Sequence, residues 1–165
     1  MSAIDLRPFA WSDIPAITAI YRHYVDTSTV TFDTEAPGEP QMAEKFGHIL
    51  DLGHPLIVAA RGGEVLGYAY ASTYRPRPAY RFTCEDSLYL RPDAVGMGLG
   101  STLLAELLTQ SQSFGFKQML AVITAGTENS IALHHKFGFR DIGHYAALGL
   151  KFDRWLDVVH MQKAL

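Results

Sequence analysis

The sequence predicts a mixed α/β fold in which one central sheet carries helices on both faces. Segments with strand periodicity alternate with segments with helical periodicity, in the order β-α-α-β-β-β-α-β-α-β-β. Such an alternation is typical of a mixed sheet covered by helices. The length of 165 residues suits one core, and no repeat or linker interrupts the chain. We therefore expect residues 1–165 to form a single domain.

The elements of the first half are predicted from periodicity and from the residues that end them. They are, in order, a strand over residues 2–9, a helix that begins after Ser12, a helix over 41–52, and a hairpin of two strands over 55–61 and 64–74. Ser12 is a favourable N-cap residue, and apolar residues follow it at helical spacing. Gly53 and Pro55 end the second helix, and Gly62 and Gly63 form the hairpin turn.

The second half alternates strands and helices more regularly. The predicted elements are a strand over 81–90, a helix over 100–114, a strand over 117–124, a helix over 127–137, and two closing strands over 140–152 and 155–165. A proline-broken connection over 75–80 precedes them. Gly115 and Gly138 follow the two helices, as glycine commonly does at a helix end.

The composition limits the classes of function. A net charge of -3 gives no electrostatic reason to expect binding to nucleic acid or to an anionic membrane. Cys84 is the only cysteine, which excludes an internal disulfide and fits a reducing compartment. The sequence shows no signal peptide and no apolar run of about 18 residues, and its histidines lack a metal-ligand spacing. We expect a cytoplasmic protein that has no metal site.

A glycine-rich segment, Val95–Thr102 (VGMGLGST), lies between a predicted strand and a predicted helix. It is not a P-loop, because no lysine follows the glycines, and it is not a dinucleotide fingerprint, because Ser101 occupies the last glycine position. The glycines either allow the helix and the strand to pack closely or let the backbone approach a ligand. The first amides of a helix lack internal partners and attract phosphate, so a pyrophosphate is a candidate ligand.

The segment LYLRPDAVGMGLGSTLL resembles motif A of the GNAT N-acetyltransferases, Q/R-x-x-G-x-G/A. Four further segments, TVTFDTEAP, RPRPAYRFTCEDSLYL, SIALHHKFGF and GLKFDRWLDVV, are similar to the branch of phosphinothricin and methionine sulfone or sulfoximine acetyltransferases. The resemblance implies the GNAT fold and the transfer of acetyl from acetyl-CoA (coenzyme A) to the α-amino group of a small amino acid analogue. One departure is visible, because the opening Arg or Gln of the motif falls on Val95.

The resemblance also implies which residues bind the cofactor. They are Leu88, Tyr89 and Leu90 along the pantetheine arm, Val95, Gly96, Met97, Gly98, Leu99, Gly100 and Ser101 around the pyrophosphate, and Asn129 from the opposite side. In the GNAT fold the strand that holds Leu88 splays from its neighbour, which frees its backbone for the pantetheine arm. The amide of Leu88 would also polarise the thioester carbonyl.

The reaction needs a base, because a free α-amino group has a pKa near ~8 and is mostly protonated at neutral pH. Glu85 is the first candidate, since it lies in an apolar strand where partial burial would raise its carboxyl pKa. The alternative is a solvated carboxylate paired with Arg81 or Arg75. The resemblance assigns the catalytic glutamate to Glu85, whereas Asp86 would face the other side of the strand.

His134 is the second candidate for the base. A histidine is usually a surface or core residue, but the resemblance places His134 near the substrate. A neutral imidazole could accept a proton or orient a water near neutral pH. Direct attack in a ternary complex is favoured over an acetyl-enzyme, because Cys84 should point away from the site.

The stretch YRPRPAYRF is rich in arginine and aromatic residues, and the resemblance assigns recognition of an anionic group to Arg75 and Arg77. The further candidates for the wall of the substrate pocket are Phe32, Tyr80, Lys151 and Trp155, although the aromatic residues could equally belong to the core. Guanidinium groups bind carboxylates and phosphinates well, although the composition of this stretch equally suits an exposed, solvated loop. The acceptor could instead be a peptide N-terminus, a polyamine or an aminoglycoside, or the domain could bind CoA without catalysis. The resemblance and the apolar C-terminal strands indicate a homodimer.

Overall fold

The fold follows the predicted order of elements. In the computed structural model, which describes residues 3–165, the elements are β1 Asp5–Pro8, α1 Ile14–Thr27, α2 Glu39–Asp51, β2 Leu56–Arg61, β3 Glu64–Thr73, β4 Thr83–Leu90, α3 Leu99–Phe114, β5 Gln118–Thr124, α4 Glu128–Lys136, β6 Arg140–Lys151 and β7 Arg154–Ala164. The predicted alternation of strands and helices is confirmed. Ser2, with which the predicted first strand begins, lies outside the described residues.

Two helix starts differ from the prediction. Ser12 is not an N-cap, because it lies in a 3₁₀ turn over Trp11–Asp13 and α1 begins after that turn. The Asp13 carboxylate stabilises the turn by accepting the Ala10 N–H at 2.8 Å. α2 begins at Glu39, before the predicted start, because a proline in the first turn of a helix costs no hydrogen bond.

The strands of the described chain form one sheet in the order β1-β2-β3-β4-β5-β7-β6. Neighbouring strands are antiparallel except for β4 and β5, which are parallel. β4 and β5 pair only where Thr83–Glu85 lie beside Gln118–Leu120. Beyond these residues the two strands diverge, so one edge of β4 over residues 86–90 has no strand partner in the described chain. A V-shaped gap therefore opens in the middle of the sheet.

Helices cover both faces of the sheet, as predicted. α1 and α2 pack on one face, where Ile17 and Phe46 are fully buried, and α3 packs on the other face, where Leu103 is fully buried. Alternation along β4 directs Cys84 to the α3 face and Tyr89 to the α1 face. None of the helices in the described part of the chain is both long and apolar enough to cross a bilayer.

Candidate active site

The gap between β4 and β5 contains a cavity of about 430 Å³. Its walls come from the two diverging strands, from α4, from the glycine-rich segment and from the loop between α1 and α2. The lining residues include Glu85, Asp86, Leu88, Tyr89 and Leu90 of β4, Val122 and Thr124 of β5, Asn129, Leu133 and His134 of α4, Val95 and Gly100 of the glycine-rich segment, and Val30, Thr31 and Phe32 of the loop. Such a volume is in the range of sites that hold small molecules.

The cavity brings together residues that are far apart in the sequence. The predicted site residues that line it are Glu85, His134, Leu88, Tyr89, Leu90, Val95, Gly100, Asn129 and Phe32. The predicted cofactor residues outside its lining are Gly96, Met97, Gly98, Leu99 and Ser101, which are adjacent in the chain to Val95 and Gly100. The predicted substrate residues outside its lining are Arg75, Arg77, Tyr80, Lys151 and Trp155.

The glycines of the glycine-rich segment serve two purposes. Gly96 and Gly98 have φ values of +83° and +76°, and a Cβ built on either would meet no described atom of a non-adjacent residue within 4 Å. These two positions need glycine for their backbone conformation, which a side chain would strain. A Cβ on Gly100 would lie 3.4 Å from Leu133 Cδ2, so this glycine packs against α4. The structure thus shows a packing role for Gly100, whereas a backbone approach to a ligand at Gly96 and Gly98 stays a prediction.

The N-terminal end of α3 has the properties of an anion site. The first N–H in this helix with an intrahelical acceptor is that of Thr102, so the N–H groups of Leu99, Gly100 and Ser101 come before the helical ladder. Lys136 Nζ donates to Ser101 Oγ at 3.3 Å. Amides, helix dipole and a cation therefore coincide at this end of α3, a combination that favours a phosphate.

Lys136 is a candidate site residue that the sequence analysis missed. It lies in the last turn of α4, where an exposed lysine is common. Only the packing of α4 beside α3 brings its ammonium to Ser101, which is distant in the sequence. The one available signal was Val95, because the absence of the motif's opening Arg or Gln left a polar contact near the pyrophosphate unassigned.

Glu85 lies at the point where the gap opens, as the last residue of β4 that pairs with β5. In residues 3–165 its carboxylate forms no ion pair, so the alternative of a structural pair with Arg81 or Arg75 is not realised. Burial, and after it the charge of Asp86, raises the pKa of Glu85, and the charge of Arg75 partly opposes this rise. A carboxylate that forms no ion pair and has a raised pKa has the properties of a general base.

His134 forms a buried pair with Asp86, the residue to which the sequence gave no main role. His134 Nε2 lies 2.8 Å from Asp86 Oδ2, and His134 Nδ1 lies 2.7 Å from the Ser130 carbonyl oxygen. Both partners are acceptors, so the ring donates from both nitrogens and is an imidazolium. Burial is the largest single influence and opposes this charge, but the hydrogen bond and charge of Asp86, together with the Ser130 carbonyl, outweigh it and raise the pKa of His134. The neutral imidazole that the sequence analysis expected is therefore not the form that this geometry favours.

The predicted arginines lie on the connection between β3 and β4. Arg75 and Arg77 are both exposed, and the Arg75 guanidinium lies 5.2 Å from the centre of the Tyr74 ring. Tyr80, also exposed, packs edge-on against Tyr74 with ring centres 5.4 Å apart. Although these side chains do not line the cavity, Arg75 is near enough to Glu85 to oppose the rise in its pKa.

Lys151 and Trp155 lie on the β6–β7 hairpin in opposite settings. Lys151 is 3% exposed, and its Nζ donates to the Thr31 carbonyl at 2.8 Å. Its ammonium is therefore held by the loop between α1 and α2. Trp155 is 66% exposed and pairs with Leu150 across the hairpin. Thus one of these two predicted substrate residues is buried and the other is exposed, and neither lines the cavity.

Comparison with known proteins identifies the class to which this fold and site belong. Residues 17–139 match the acetyltransferase (GNAT) family. The chain belongs to this family, and the predicted family and fold class are confirmed.

Within the family, a phosphinothricin N-acetyltransferase of Alcaligenes faecalis is 46% identical to this chain over 99% of it and 83% of its own length. An L-methionine sulfoximine/L-methionine sulfone acetyltransferase of Pseudomonas aeruginosa is 37% identical over 98% of this chain and 94% of its own. The crystal structure of a phosphinothricin acetyltransferase from Sinorhizobium meliloti in complex with AcCoA aligns with a TM-score of 0.96 at 44% identity, covering 100% of this chain and 89% of that one. The predicted similarity to this branch is confirmed.

Proposed function

We propose that the protein transfers the acetyl group of acetyl-CoA to the α-amino group of a small amino acid analogue of the phosphinothricin, methionine sulfoximine or methionine sulfone type. One observation carries this proposal: the cavity between β4 and β5 is lined both by the uncommitted carboxylate of Glu85 and by the start of a helix suited to phosphate. The names of the relatives in Alcaligenes faecalis and Pseudomonas aeruginosa support the substrate class.

Residues on three sides of the cavity would hold acetyl-CoA. The unpaired edge of β4 over Leu88–Leu90 offers backbone groups to the pantetheine arm. One of these groups is already engaged, because the Tyr24 hydroxyl donates to the Leu90 carbonyl at 2.6 Å. The first-turn amides of α3 and the ammonium of Lys136 are suited to the phosphates. Asn129 completes the site from the α4 side.

Glu85 is the proposed base, because His134 already donates both ring protons to other groups. Glu85 would take a proton from the substrate ammonium before or during attack on the thioester. Direct attack is favoured over an acetyl-enzyme, since Cys84 is fully buried and burial raises its thiol pKa to about 12. The departing CoA thiolate needs little help from an acid, because its thiol has a pKa near ~8.5.

Gly98→Ala should weaken acetyl-CoA binding about tenfold, because a side chain in the left-handed conformation costs roughly 1–2 kcal/mol and would displace the first amides of α3. Titration calorimetry on the folded variant measures the change. Gly63→Ala is the matched control, since Gly63 has a φ of +87°, no described neighbour within 4 Å of an added Cβ, and a position in the β2–β3 turn. Equal affinities in the two variants would mean that Gly98 has no part in binding.

Lys136→Met should weaken acetyl-CoA binding about tenfold or more, which corresponds to the loss of a charge-assisted contact of roughly 1.5–3 kcal/mol. Affinity for acetyl-pantetheine, which lacks the nucleotide phosphates, should stay at the wild-type value. Lys117→Met serves as the control, because Lys117 lies just before β5, outside both α4 and the glycine-rich segment. A parallel loss of affinity for both ligands would contradict a phosphate contact.

Arg75→Ala should raise the KM for methionine sulfone about tenfold or more, since a charge-assisted contact to its carboxylate is worth roughly 1.5–3 kcal/mol. Steady-state kinetics of the variant test this, with Arg22→Ala on the exposed side of α1 as the control. The KM for spermidine should not rise, because a polyamine brings positive charge towards Arg75. An unchanged KM for methionine sulfone would remove the proposed anion contact.

We also propose that the protein is a cytoplasmic homodimer. β6 is an edge strand of the sheet, and Leu148, Leu150 and Trp155 on the β6–β7 hairpin are 56%, 53% and 66% exposed. An apolar surface on an edge strand is usually covered, and a second copy of the chain would cover it symmetrically. Light scattering should give twice the chain mass of 18.3 kDa, and Trp155→Asp should reduce it to that of one chain. The single cysteine supports a reducing compartment such as the cytoplasm.

The function is tested by the release of free CoA thiol from acetyl-CoA with a panel of amines. The panel contains methionine sulfone, methionine sulfoximine, phosphinothricin, spermidine, an aminoglycoside and an alanine-initiated peptide. We expect the highest kcat/KM with the three amino acid analogues. A preference for another amine would leave the family assignment intact and replace the substrate, and the absence of turnover with every amine would favour a non-catalytic CoA-binding role.

A further inference from the structure

Phe32 forms part of the cavity wall, and its ring packs against the backbone of Gly149 in β6. A Cβ built on Gly149 of β6 would lie 2.6 Å from Phe32 Cδ2 and 2.9 Å from Cζ, and nearer still to Cε2. Real Cβ atoms do not approach other atoms this closely, so the ring and a side chain at position 149 cannot both occupy their places. The backbone of Gly149 is not in the left-handed region, so conformation does not explain this glycine. The space that the Phe32 ring needs explains why this residue is a glycine.

The loop that carries Phe32 is held at two backbone carbonyls just before the ring. The Lys151 ammonium donates to the Thr31 carbonyl at 2.8 Å, and the Thr124 hydroxyl donates to the Thr29 carbonyl at 2.6 Å. These bonds tie the loop to β6 and β5, the strands on either side of β7. Because the loop backbone is held, a side chain at position 149 would move the ring and not the loop.

A second set of contacts fixes the same loop from α1. The Tyr21 hydroxyl donates to Asp33 Oδ2 at 2.6 Å. Since a tyrosine hydroxyl has one proton, the Thr31 hydroxyl must then donate to Tyr21 Oη, which lies 2.8 Å away. Thr31 is thus held through both its carbonyl and its hydroxyl. The ring of Phe32, between β6 and the cavity, is the part that remains able to turn.

We propose that Gly149 is a positioning residue that sets the width of the cavity at the loop between α1 and α2 by letting the Phe32 ring lie against β6. This proposal rests on the proposed function, because it assumes that a small amine enters the cavity beside Glu85. Pushed off β6, the ring would turn into the space that it now lines, and an acceptor side chain would lose that space. Lys151 supports the same arrangement, since its ammonium holds the loop through the Thr31 carbonyl.

The test is a double-mutant comparison of Gly149→Ala, Phe32→Ala and the two combined. In the wild-type background, Gly149→Ala should raise the KM for methionine sulfone about tenfold or more, as expected for the loss of space for one or two methylene groups, with a smaller change in kcat. Acetyl-CoA affinity, measured by calorimetry, should not change. In the Phe32→Ala background, which removes the ring, Gly149→Ala should have no further effect on KM.

Gly143→Ala is the matched control on the same strand, because the three described atoms nearest to its added Cβ all belong to the Tyr145 side chain, the first at 3.3 Å, and Tyr145 does not line the cavity. An equal effect of Gly149→Ala with and without the Phe32 ring would overturn the proposal. A crystal structure of Gly149→Ala gives a readout that does not depend on turnover: the ring should have left β6 for the cavity. A ring still on β6, with a shifted strand, would also overturn it. Failure of the wild-type protein to acetylate any amino acid would instead refute the proposed function. The crystal structure of Gly149→Ala would still show whether the side chain moves the Phe32 ring.

Discussion

Glu85→Gln should lower kcat by about 10²–10⁴-fold, the usual contribution of a positioned acid–base group. Glutamine has nearly the same shape as glutamate but cannot take a proton from the substrate ammonium. Acetyl-CoA affinity should remain at the wild-type value, because the Glu85 carboxylate is assigned no contact with the cofactor. Steady-state kinetics and calorimetry on the same preparation measure both quantities.

The pH dependence makes this prediction specific to the base. Burial raises the pKa of Glu85, so wild-type kcat/KM should fall as the pH drops through that raised value, where the carboxylate becomes protonated. The variant should lack this acidic limb. Glu44→Gln, which changes an exposed carboxylate on α2, is the control and should keep the wild-type profile. A pH–rate profile of Glu85→Gln with the height and shape of the wild-type profile would mean that Glu85 is not the base.

Asp86→Ala should lower the free energy of unfolding by about 3–5 kcal/mol, because it leaves the buried His134 without its carboxylate partner. The Asp86 and His134 side chains are 3% and 7% exposed, so the variant would leave the imidazolium without its counter-charge at a poorly hydrated position. Denaturant unfolding measures the change. The matched control is Asp141→Ala, which breaks an exposed pair with His135 and should cost at most about 1 kcal/mol. Equal losses in the two variants would mean that burial does not strengthen the Asp86 pair.

The same pair predicts how stability depends on pH. The folded state raises the pKa of His134 above its ordinary value, so the pair contributes fully below the unfolded value of about 6.5. Its contribution is lost as the pH rises through the raised folded-state pKa. The difference in unfolding free energy between wild type and Asp86→Ala should therefore shrink as the solution becomes more alkaline. A difference that grows towards alkaline pH would contradict the imidazolium form of His134.

Local patterns were sufficient to predict the order of elements and the faces that they bury. The periodicity of apolar residues and the glycines at helix ends placed every helix and strand within a few residues, and the errors arose where capping chemistry was misread, as at Ser12. The position of Glu85 came from its resemblance to a motif. Only the fold shows that the Glu85 carboxylate forms no salt bridge within the described chain.

Contacts between distant segments could not be predicted. Lys151 donates to the Thr31 carbonyl although most of the chain separates the two residues in sequence, and no local pattern links them. The pair of Asp86 and His134 was missed because strand alternation gives the face of a residue but not its partner. The extent of the domain, the dimer and the roles of individual site residues stay predictions until they are measured.

The most direct measurement of the central claim is mass spectrometry of the products formed from acetyl-CoA and methionine sulfone. We predict that wild-type protein forms N-acetyl methionine sulfone in equal amount to the free CoA released, and that Glu85→Gln forms it at a rate lower by about 10²–10⁴-fold. Release of CoA without the acetylated amine, or product formation by Glu85→Gln at the wild-type rate, would contradict the account of the cavity between β4 and β5 as a Glu85-dependent acetyl-transfer site.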